Sequence, residues 1–330
     1  MSQLQLSLAI RTNPRVQALV DQQVKVEGVD LITSLLAPAD TFWRQLSYQE
    51  FDVSEMSMSA FIRATANGDD RWWALPIFPD RRFFHAWIVV RKDSEIQRPE
   101  DLRGARIGVP DYSQTGALWG RAVLNRDFGI AASDMTWYQE RTEALSHGGA
   151  SGFSPPEGVT VHQIPGEDSQ RKMFADGRLD ASILFITYKT LIDRSSGDMA
   201  EANVRPLFVD ADAEKARAYR SWGFLPFNHC IVVRRSLLEK HPWLALNLFT
   251  AFNEAKEQGR QRILEAIRPH HEAGFIVGDS WAGAGVDLFP YGLAANSVAL
   301  PTLMDEAYGQ KLTPRKVDVA ELFPPSVLEL

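Results

Sequence analysis

The chain has 330 residues, 45% of them hydrophobic and 23% charged, too many for one ordinary core and enough for two lobes. A net charge of -7 argues against nucleic acid or an anionic membrane as the main partner, but not against a small anion held by a few local cations. The N-terminus has no basic region, sustained apolar run or small-residue cleavage site, and no apolar run is long enough to span a bilayer. A cytoplasmic location is therefore expected. The single cysteine, Cys230, rules out an internal disulfide and reads as a small buried residue in a strand.

Leu4 to Ile10 alternates apolar and polar residues and predicts a first strand, after which Asn13-Pro14 starts a helix with Pro in its permitted first turn. Val24 to Leu36 reads as a second strand broken at Glu27-Gly28, and Ala39-Asp40-Thr41 as a cap before the helix at Phe42. Two apolar strands mark crossings between lobes: Ala86 to Val90, and Cys230 to Val233. Between them Ala105 to Val109, Met135 to Tyr138, Val159 to Ile164, Leu179 to Phe185 and Val204 to Val209 form an independent α/β set. Ser146 to Gly158, rich in Gly and Pro, is expected as a surface loop. A long helix follows from Glu239 to about Ile267, with His241-Pro242-Trp243 in its first turn. The fold class is α/β, each lobe a mainly parallel sheet flanked by helices: residues 1–91 plus 230–330 form the first lobe and 92–229 an inserted second. This arrangement resembles the type II periplasmic-binding-protein fold, which implies a ligand cleft between the lobes.

Several segments carry a more specific resemblance. They are Glu50-Phe51-Asp52-Val53-Ser54-Glu55-Met56-Ser57, Pro76 to His85, Asp101 to Tyr112, Pro226-Phe227-Asn228-His229, His241-Pro242-Trp243, Phe289-Pro290-Tyr291-Gly292 and Glu321-Leu322-Phe323. In this order and spacing the chain is similar to the 4,5-dihydroxyphthalate decarboxylase family over nearly its whole length. Asp101-Leu102-Arg103-Gly104 is common among binding proteins; its combination with the Phe51 and Phe289 segments is what distinguishes the family. Two departures stand out: Asn13-Pro14-Arg15 where relatives tend to show Asp-Arg after an aromatic residue, and Phe84 where an arginine is usual. The resemblance implies a carboxy-lyase that converts a hydroxylated aromatic dicarboxylate, 4,5-dihydroxyphthalate, to protocatechuate and CO2.

That chemistry needs no redox cofactor if an acid protonates the ring carbon bearing the carboxylate, and loss of CO2 then restores aromaticity. No cofactor is expected, and a divalent metal bound through His and carboxylates stays open. Histidine can hold and deliver a proton near neutrality. His85 and His229 precede the two crossing strands; side by side at a hinge, they would supply the acid and a partner that polarises the phenol. Arg81 and Arg15 are candidate carboxylate clamps, because guanidinium pairs with carboxylate bidentately; Arg82 is the less favoured of the adjacent pair. Ser57 either bonds a ligand oxygen or caps a helix, and Glu55 orients a histidine or an arginine or caps. Thr115 is expected as the N-cap or an anion contact of a helix whose N–H groups would face Ser57 across the cleft. Tyr291 either offers its phenol to the site or packs the C-terminal segment. His147, His162 and His241 are expected as surface or capping residues, and His270-His271-Glu272 points its imidazoles apart, against a metal site.

A small aromatic carboxylate is the expected partner, with a homo-oligomer compatible with the many aromatic residues. The rival reading is a non-catalytic solute-binding protein or cytoplasmic ligand sensor for a small organic anion.

Overall fold

The computed structural model describes residues 3–184, 190–195 and 203–330. Its strands are β1 (Leu4–Ile10), β2 (Val29–Leu35), β3 (Val53–Ser57), β4 (Trp72–Leu75), β5 (Val89–Arg91), β6 (Arg106–Val109), β7 (Thr136–Gln139), β8 (Thr160–Gln163), β9 (Ala181–Ser182), β10 (Val204–Pro206) and β11 (His229–Arg234). They form two sheets, ordered β2-β1-β3-β11-β4 and β10-β5-β9-β6-β7-β8. The first strand has the bounds its alternation predicts. Its apolar side, Leu6, Leu8 and Ile10, is buried, as a sheet packed under helices requires.

Helix positions depart from expectation where proline chemistry decides. Pro38 opens the helix Pro38–Tyr48 after an extended Ala37, so Ala39-Asp40-Thr41 lies in the first turn rather than capping it. At Asn13-Pro14 the Asn13 side chain accepts from the Arg15 N–H at 3.0 Å, which makes a turn and delays the helix to Gln17–Val20. The long C-terminal helix is interrupted at His241 and resumes as Leu244–Glu272. Gly259 in that helix lies against the Pro14 carbonyl, which an added Cβ would approach to 2.0 Å, so the helix closes tightly over this turn.

The two crossing strands do not lie side by side. β5 pairs with β9 and β10 in the second sheet, whereas β11 pairs with β3 and β4 in the first. Val89–Arg91, expected in the first lobe, thus belongs to the second sheet, and His229, expected in the second, begins a first-sheet strand. What pairs instead is the chain just before each strand. Arg81 bridges Phe227, the Arg82 N–H donates to the Pro226 carbonyl at 2.9 Å, and the Asn228 N–H donates to the Asp80 carbonyl at 2.8 Å. Pro79 and Pro226, which lack donors, flank this short ladder and keep it from growing into a sheet. Of the expected strand Leu179 to Phe185, only Ala181–Ser182 is paired, and Phe185 falls outside the described residues. No helix among the described residues is long and apolar enough to cross a membrane.

Candidate active site

A cavity of about 480 Å³ lies between the lobes beside the Asp80–Asn228 ladder, in the size range of small-molecule sites. Its walls are largely apolar: Phe42 from the first lobe, and Phe84, Trp87, Ile88, Val89, Leu184 and Pro206 from the second. Trp87 is 54% exposed where it lines the cavity. The polar lining is cationic on balance, with Arg11, Arg82, Arg141 and Lys215 against Asp80, together with His147, His229, Asn228, Gln114, Ser57 and Thr115.

His229 owes its place to β11, the antiparallel strand inserted between β3 and β4, where it sits opposite Ser57. Two residues along β3, opposite Ile231, Glu55 is buried, and its carboxylate lies 2.6 Å from Nδ1 of His229. A carboxylate can only accept, so Nδ1 carries the proton and Nε2 is the nitrogen available for chemistry. The second Glu55 oxygen accepts from the Arg11 N–H at 3.2 Å. Nε2 lies 2.7 Å from the Asn228 amide nitrogen, which also donates to Asp80 at 3.1 Å. Asp80 in turn pairs with Arg82 at 2.7 Å. Burial alone would raise the Asp80 carboxyl, but His229 and Arg82 beside it hold it below the usual carboxylate range.

The other end of the cavity is built on the helix Thr115–Phe128. Gln114, not Thr115 as expected, is its N-cap, and Thr115 is the first helical residue. Its hydroxyl lies 3.0 Å from that of Ser57 and accepts from the Ser59 N–H at 2.9 Å. Ser57 does stand at the N-cap of helix Met58–Ala66, but its hydroxyl makes no cap bond and turns to Thr115, so Ser57 and Thr115 meet across the cleft. Gly116 follows because a Cβ there would meet Phe84 and Leu184 at 2.8 Å. Arg141 is held by Asp193 at 2.7 and 2.9 Å and donates to the Gln114 amide oxygen at 2.9 Å.

His147 overturns the expectation of a surface residue. The stretch from Ser146 is not a free loop: Ser146 caps a short helical turn, His147–Ala150, and Asp111, buried below, accepts from the Ser146 hydroxyl at 2.7 Å. His147 is 1% exposed, and its Nε2 donates to the Ala39 carbonyl at 3.0 Å. Burial, with the nearby Arg141 charge, pushes this imidazole down to about 4, so it is neutral near pH 7. His147 and His229 both pack edge-on against Phe42, with ring centroids at 5.4 and 4.7 Å. His162 is exposed beside Tyr138, and His241 caps a helix end, as expected.

His85 does not join them. It lies in the turn Phe84–Trp87, fully buried behind the cavity wall, with Nε2 on Glu214 at 2.7 Å and its ring between Phe83 and Phe208. Burial opposes ionisation of Glu214, yet bonds from Arg217 and His85 hold its carboxyl down at about 2. Of the adjacent arginines the order is also reversed. Arg81 is buried and spends its donors on the carbonyls of Leu225 and Pro290, at 3.0 and 2.9 Å, and on the Asn296 side chain. Burial lowers it to about 10. Arg82 alternates to the other side of the extended segment and lines the cavity. Arg15 donates to the Pro79 carbonyl at 2.8 Å and covers the Phe289 ring at 3.9 Å; it buttresses the ladder without lining the cavity. Tyr291 also packs behind it, its hydroxyl raised first by burial and without a hydrogen-bond partner among the described residues. His271 stacks on Trp281 at 4.2 Å, and no cluster of three or more His, Cys, Asp or Glu fit to hold a metal occurs among the described residues.

Comparison with known proteins first fixes the fold. Residues 12–150 match the family model described as ABC transporter, phosphonate, periplasmic substrate-binding protein. The periplasmic aliphatic sulphonate binding protein SsuA from Escherichia coli superposes with a TM-score of 0.54 at 16% identity, covering 97% of this chain and 91% of that one. The desulfurization enzyme DSZB gives 0.54 at 16% identity, covering 98% and 97%. Both show the two-lobed binding-protein architecture and, at such identity, the fold alone. A 4,5-dihydroxyphthalate decarboxylase from Comamonas testosteroni is 32% identical over 333 aligned residues, spanning 100% of this chain and 99% of the relative.

The chain belongs to the 4,5-dihydroxyphthalate decarboxylase family.

A second 4,5-dihydroxyphthalate decarboxylase, from Pseudomonas putida, is 37% identical over 183 residues, 56% of this chain and 71% of that one. The segments that carry the 4,5-dihydroxyphthalate decarboxylase resemblance converge on the cavity: Glu50–Ser57 brings Glu55 and Ser57, Pro76–His85 brings Asp80 and Arg82, and Pro226–His229 brings Asn228 and His229. Phe289–Gly292 supports the Arg15 and Arg81 side chains behind it. Sequence reading missed Arg11, Arg141 and His147 as cavity residues. Only the alternation of Arg81 and Arg82 in an extended segment carried a usable local signal.

Proposed function

We propose that this chain removes CO2 from 4,5-dihydroxyphthalate, giving protocatechuate, by protonation of ring carbon and without a cofactor. The observation that carries this reading is the Glu55–His229 pair opening on an apolar cavity with cations at its edges. His229 is the acid. Glu55 fixes the tautomer and stabilises the imidazolium, the role a buried carboxylate plays behind a catalytic imidazole. The Nε2 proton passes to the carbon that bears the carboxylate. The carbon–carboxylate bond then breaks, its electron pair restores the aromatic ring, CO2 departs, and one solvent proton returns to Nε2. Each turnover thus consumes one proton.

Phe42, Phe84 and Trp87 suit the ring faces, and an apolar wall favours the step in which a carboxylate becomes uncharged CO2. Arg82 and Arg11 stand on the His229 side for the carboxylate edge. His147 takes the phenol-polarising part first expected of His85. With Nε2–H committed to Ala39, its Nδ1 is an acceptor that Arg141 faces at 3.5 Å, and a ring hydroxyl would take that place, its proton becoming more acidic as the ring is protonated. Gln114, Thr115 and the helix N-terminus supply donors for the same edge.

Purified protein incubated with 4,5-dihydroxyphthalate in deuterated water should release CO2 and yield protocatechuate carrying one deuterium at the carbon that lost the carboxylate. Saturable binding of this compound without turnover would favour the solute-binding or sensor reading instead.

A further inference from the structure

Nε2 of His229, the nitrogen the decarboxylation reading needs, does not stand open to the cavity. It faces the Asn228 amide nitrogen at 2.7 Å. The orientation of that amide is dictated from the far side, because its nitrogen also donates to Asp80 at 3.1 Å, and a carboxylate paired with Arg82 can only accept. Arg82, Asp80, Asn228, His229 and Glu55 therefore form one directional chain. Glu55 keeps the proton on Nδ1, and Asn228 occupies the Nε2 lone pair. A proton added to Nε2 would face the amide N–H groups, and turning the amide over would set its oxygen against Asp80. Either arrangement loses a bond. The charged groups facing the ring are Glu55 on β3, Asp80 and Arg82 on the hinge segment, and Arg11, whose N–H bonds Glu55; helix Pro38–Tyr48 contributes the uncharged Phe42.

Arg82 is the exposed end of this chain. Its side chain is 41% accessible and lines the cavity, with Asp80 as its ion-pair partner. A substrate carboxylate entering the cavity competes with Asp80 for it. We propose that Asn228 is a positioning residue that caps Nε2 of His229 in the empty protein, and that a substrate carboxylate drawing Arg82 from Asp80 releases the cap so that Nε2 takes up its proton. The charging of the acid is then coupled to occupancy of the site. The coupling rests on the decarboxylase reading, but the cap itself can be measured without turnover.

The test follows the His229 ring nitrogens by NMR in 15N-labelled protein as pH is varied, with the signals assigned by their loss in His229→Gln. In the empty protein, Asn228→Ala should move the pH of half-protonation of Nε2 upward by about 0.5–1 unit, the worth of one lost hydrogen bond to the neutral form. Asn228→Asp, which puts a carboxylate beside Nε2, should move it further up. Phthalate, which offers the paired carboxylates without the hydroxyls, should raise the value in wild type and leave it unmoved in Arg82→Gln. An unchanged or lower value in Asn228→Ala overturns the cap. The absence of a rise with phthalate in wild type, or an equal rise in Arg82→Gln, overturns the release. Should wild type bind 4,5-dihydroxyphthalate and form no product, the decarboxylase reading fails while the comparison of empty proteins still decides the cap. In a competent enzyme, the pH at which kcat/KM falls by half shifts upward with the NMR value in Asn228→Ala. A mere packing role would lower the rate evenly at all pH.

Discussion

Arg81 and Arg82 are neighbours in sequence with opposite fates, and the pleat of a two-residue ladder decides between them. Arg81 turns inward, where three oxygen acceptors and the Phe78 and Phe227 rings enclose it. Arg82 turns to the cavity. The proline and apolar residues around Arg81 signalled burial, and burial marks a structural cation as readily as a ligand-binding one. Replacing a buried cation that serves three acceptors leaves them unpaired, so Arg81→Gln should cost roughly 2–4 kcal/mol in urea unfolding at pH 7. Arg82→Gln should unfold within about 0.5 kcal/mol of wild type, as exposed ion pairs do, and raise KM for 4,5-dihydroxyphthalate about tenfold or more. Equal stability losses in both variants would show that the two roles have been misassigned.

At the scale of elements, the helical turn His147–Ala150 shows why a Gly- and Ser-rich stretch misleads. Composition marks a break in regular structure but says nothing about burial. Here Ser146 caps the turn, Gly149 sits where an added Cβ would come within 2.0 Å of the Glu143 carbonyl, and the fully buried Arg63 donates to Ser151 at 2.8 Å from the first lobe. The turn is thereby pressed into the cleft and carries His147 with it. Its neutrality has a consequence for stability. In the unfolded chain the imidazole titrates near 6.5, and in the fold at about 4, so between these values the unfolded state binds more protons and acid favours unfolding. The contribution is intact above pH 6.5 and is lost as pH falls toward 4. Unfolding free energy should drop by about 2 kcal/mol between pH 7 and pH 5, and His147→Gln should flatten that change. Glu214 titrates lower still and stays out of this window. A variant as pH-sensitive as wild type would remove His147 as the cause.

Across the whole molecule, the two-lobed architecture was legible because apolar strands, glycine-marked turns and an inserted α/β set leave local signals. β1 has the predicted bounds, and the second-lobe strands fall within one to two residues of expectation, apart from the start of β5 and the ends of β9 and β10. The Glu55–His229 pairing was open in sequence and became definite once β11 entered the first sheet antiparallel to β3, a register no local pattern specifies. The position of His85 was misread for the same reason. The chain reaches β5 through a 3-10 turn that rotates this side chain away from the cleft, onto Glu214. The two lobes are also fastened together by hydrogen bonds. Ser59 donates to the Ser113 carbonyl at 2.7 Å, Asn67 to the Ser151 carbonyl at 2.8 Å and Trp43 to the Ala144 carbonyl at 2.9 Å, so the walls on either side of the ring are already set. A site with positioned walls needs its proton donor at one place, and among the described histidines His229 alone joins a buried carboxylate to the cavity. The most direct measurement compares steady-state turnover of 4,5-dihydroxyphthalate by His229→Gln and His85→Gln at pH 7. Loss of the general acid should lower kcat by about 10²–10⁴ in His229→Gln, while His85→Gln, weakened only in stability, should keep kcat within about tenfold of wild type. A His229→Gln enzyme that turns over near the wild-type rate, or a His85→Gln enzyme that folds yet is inactive, would contradict the account.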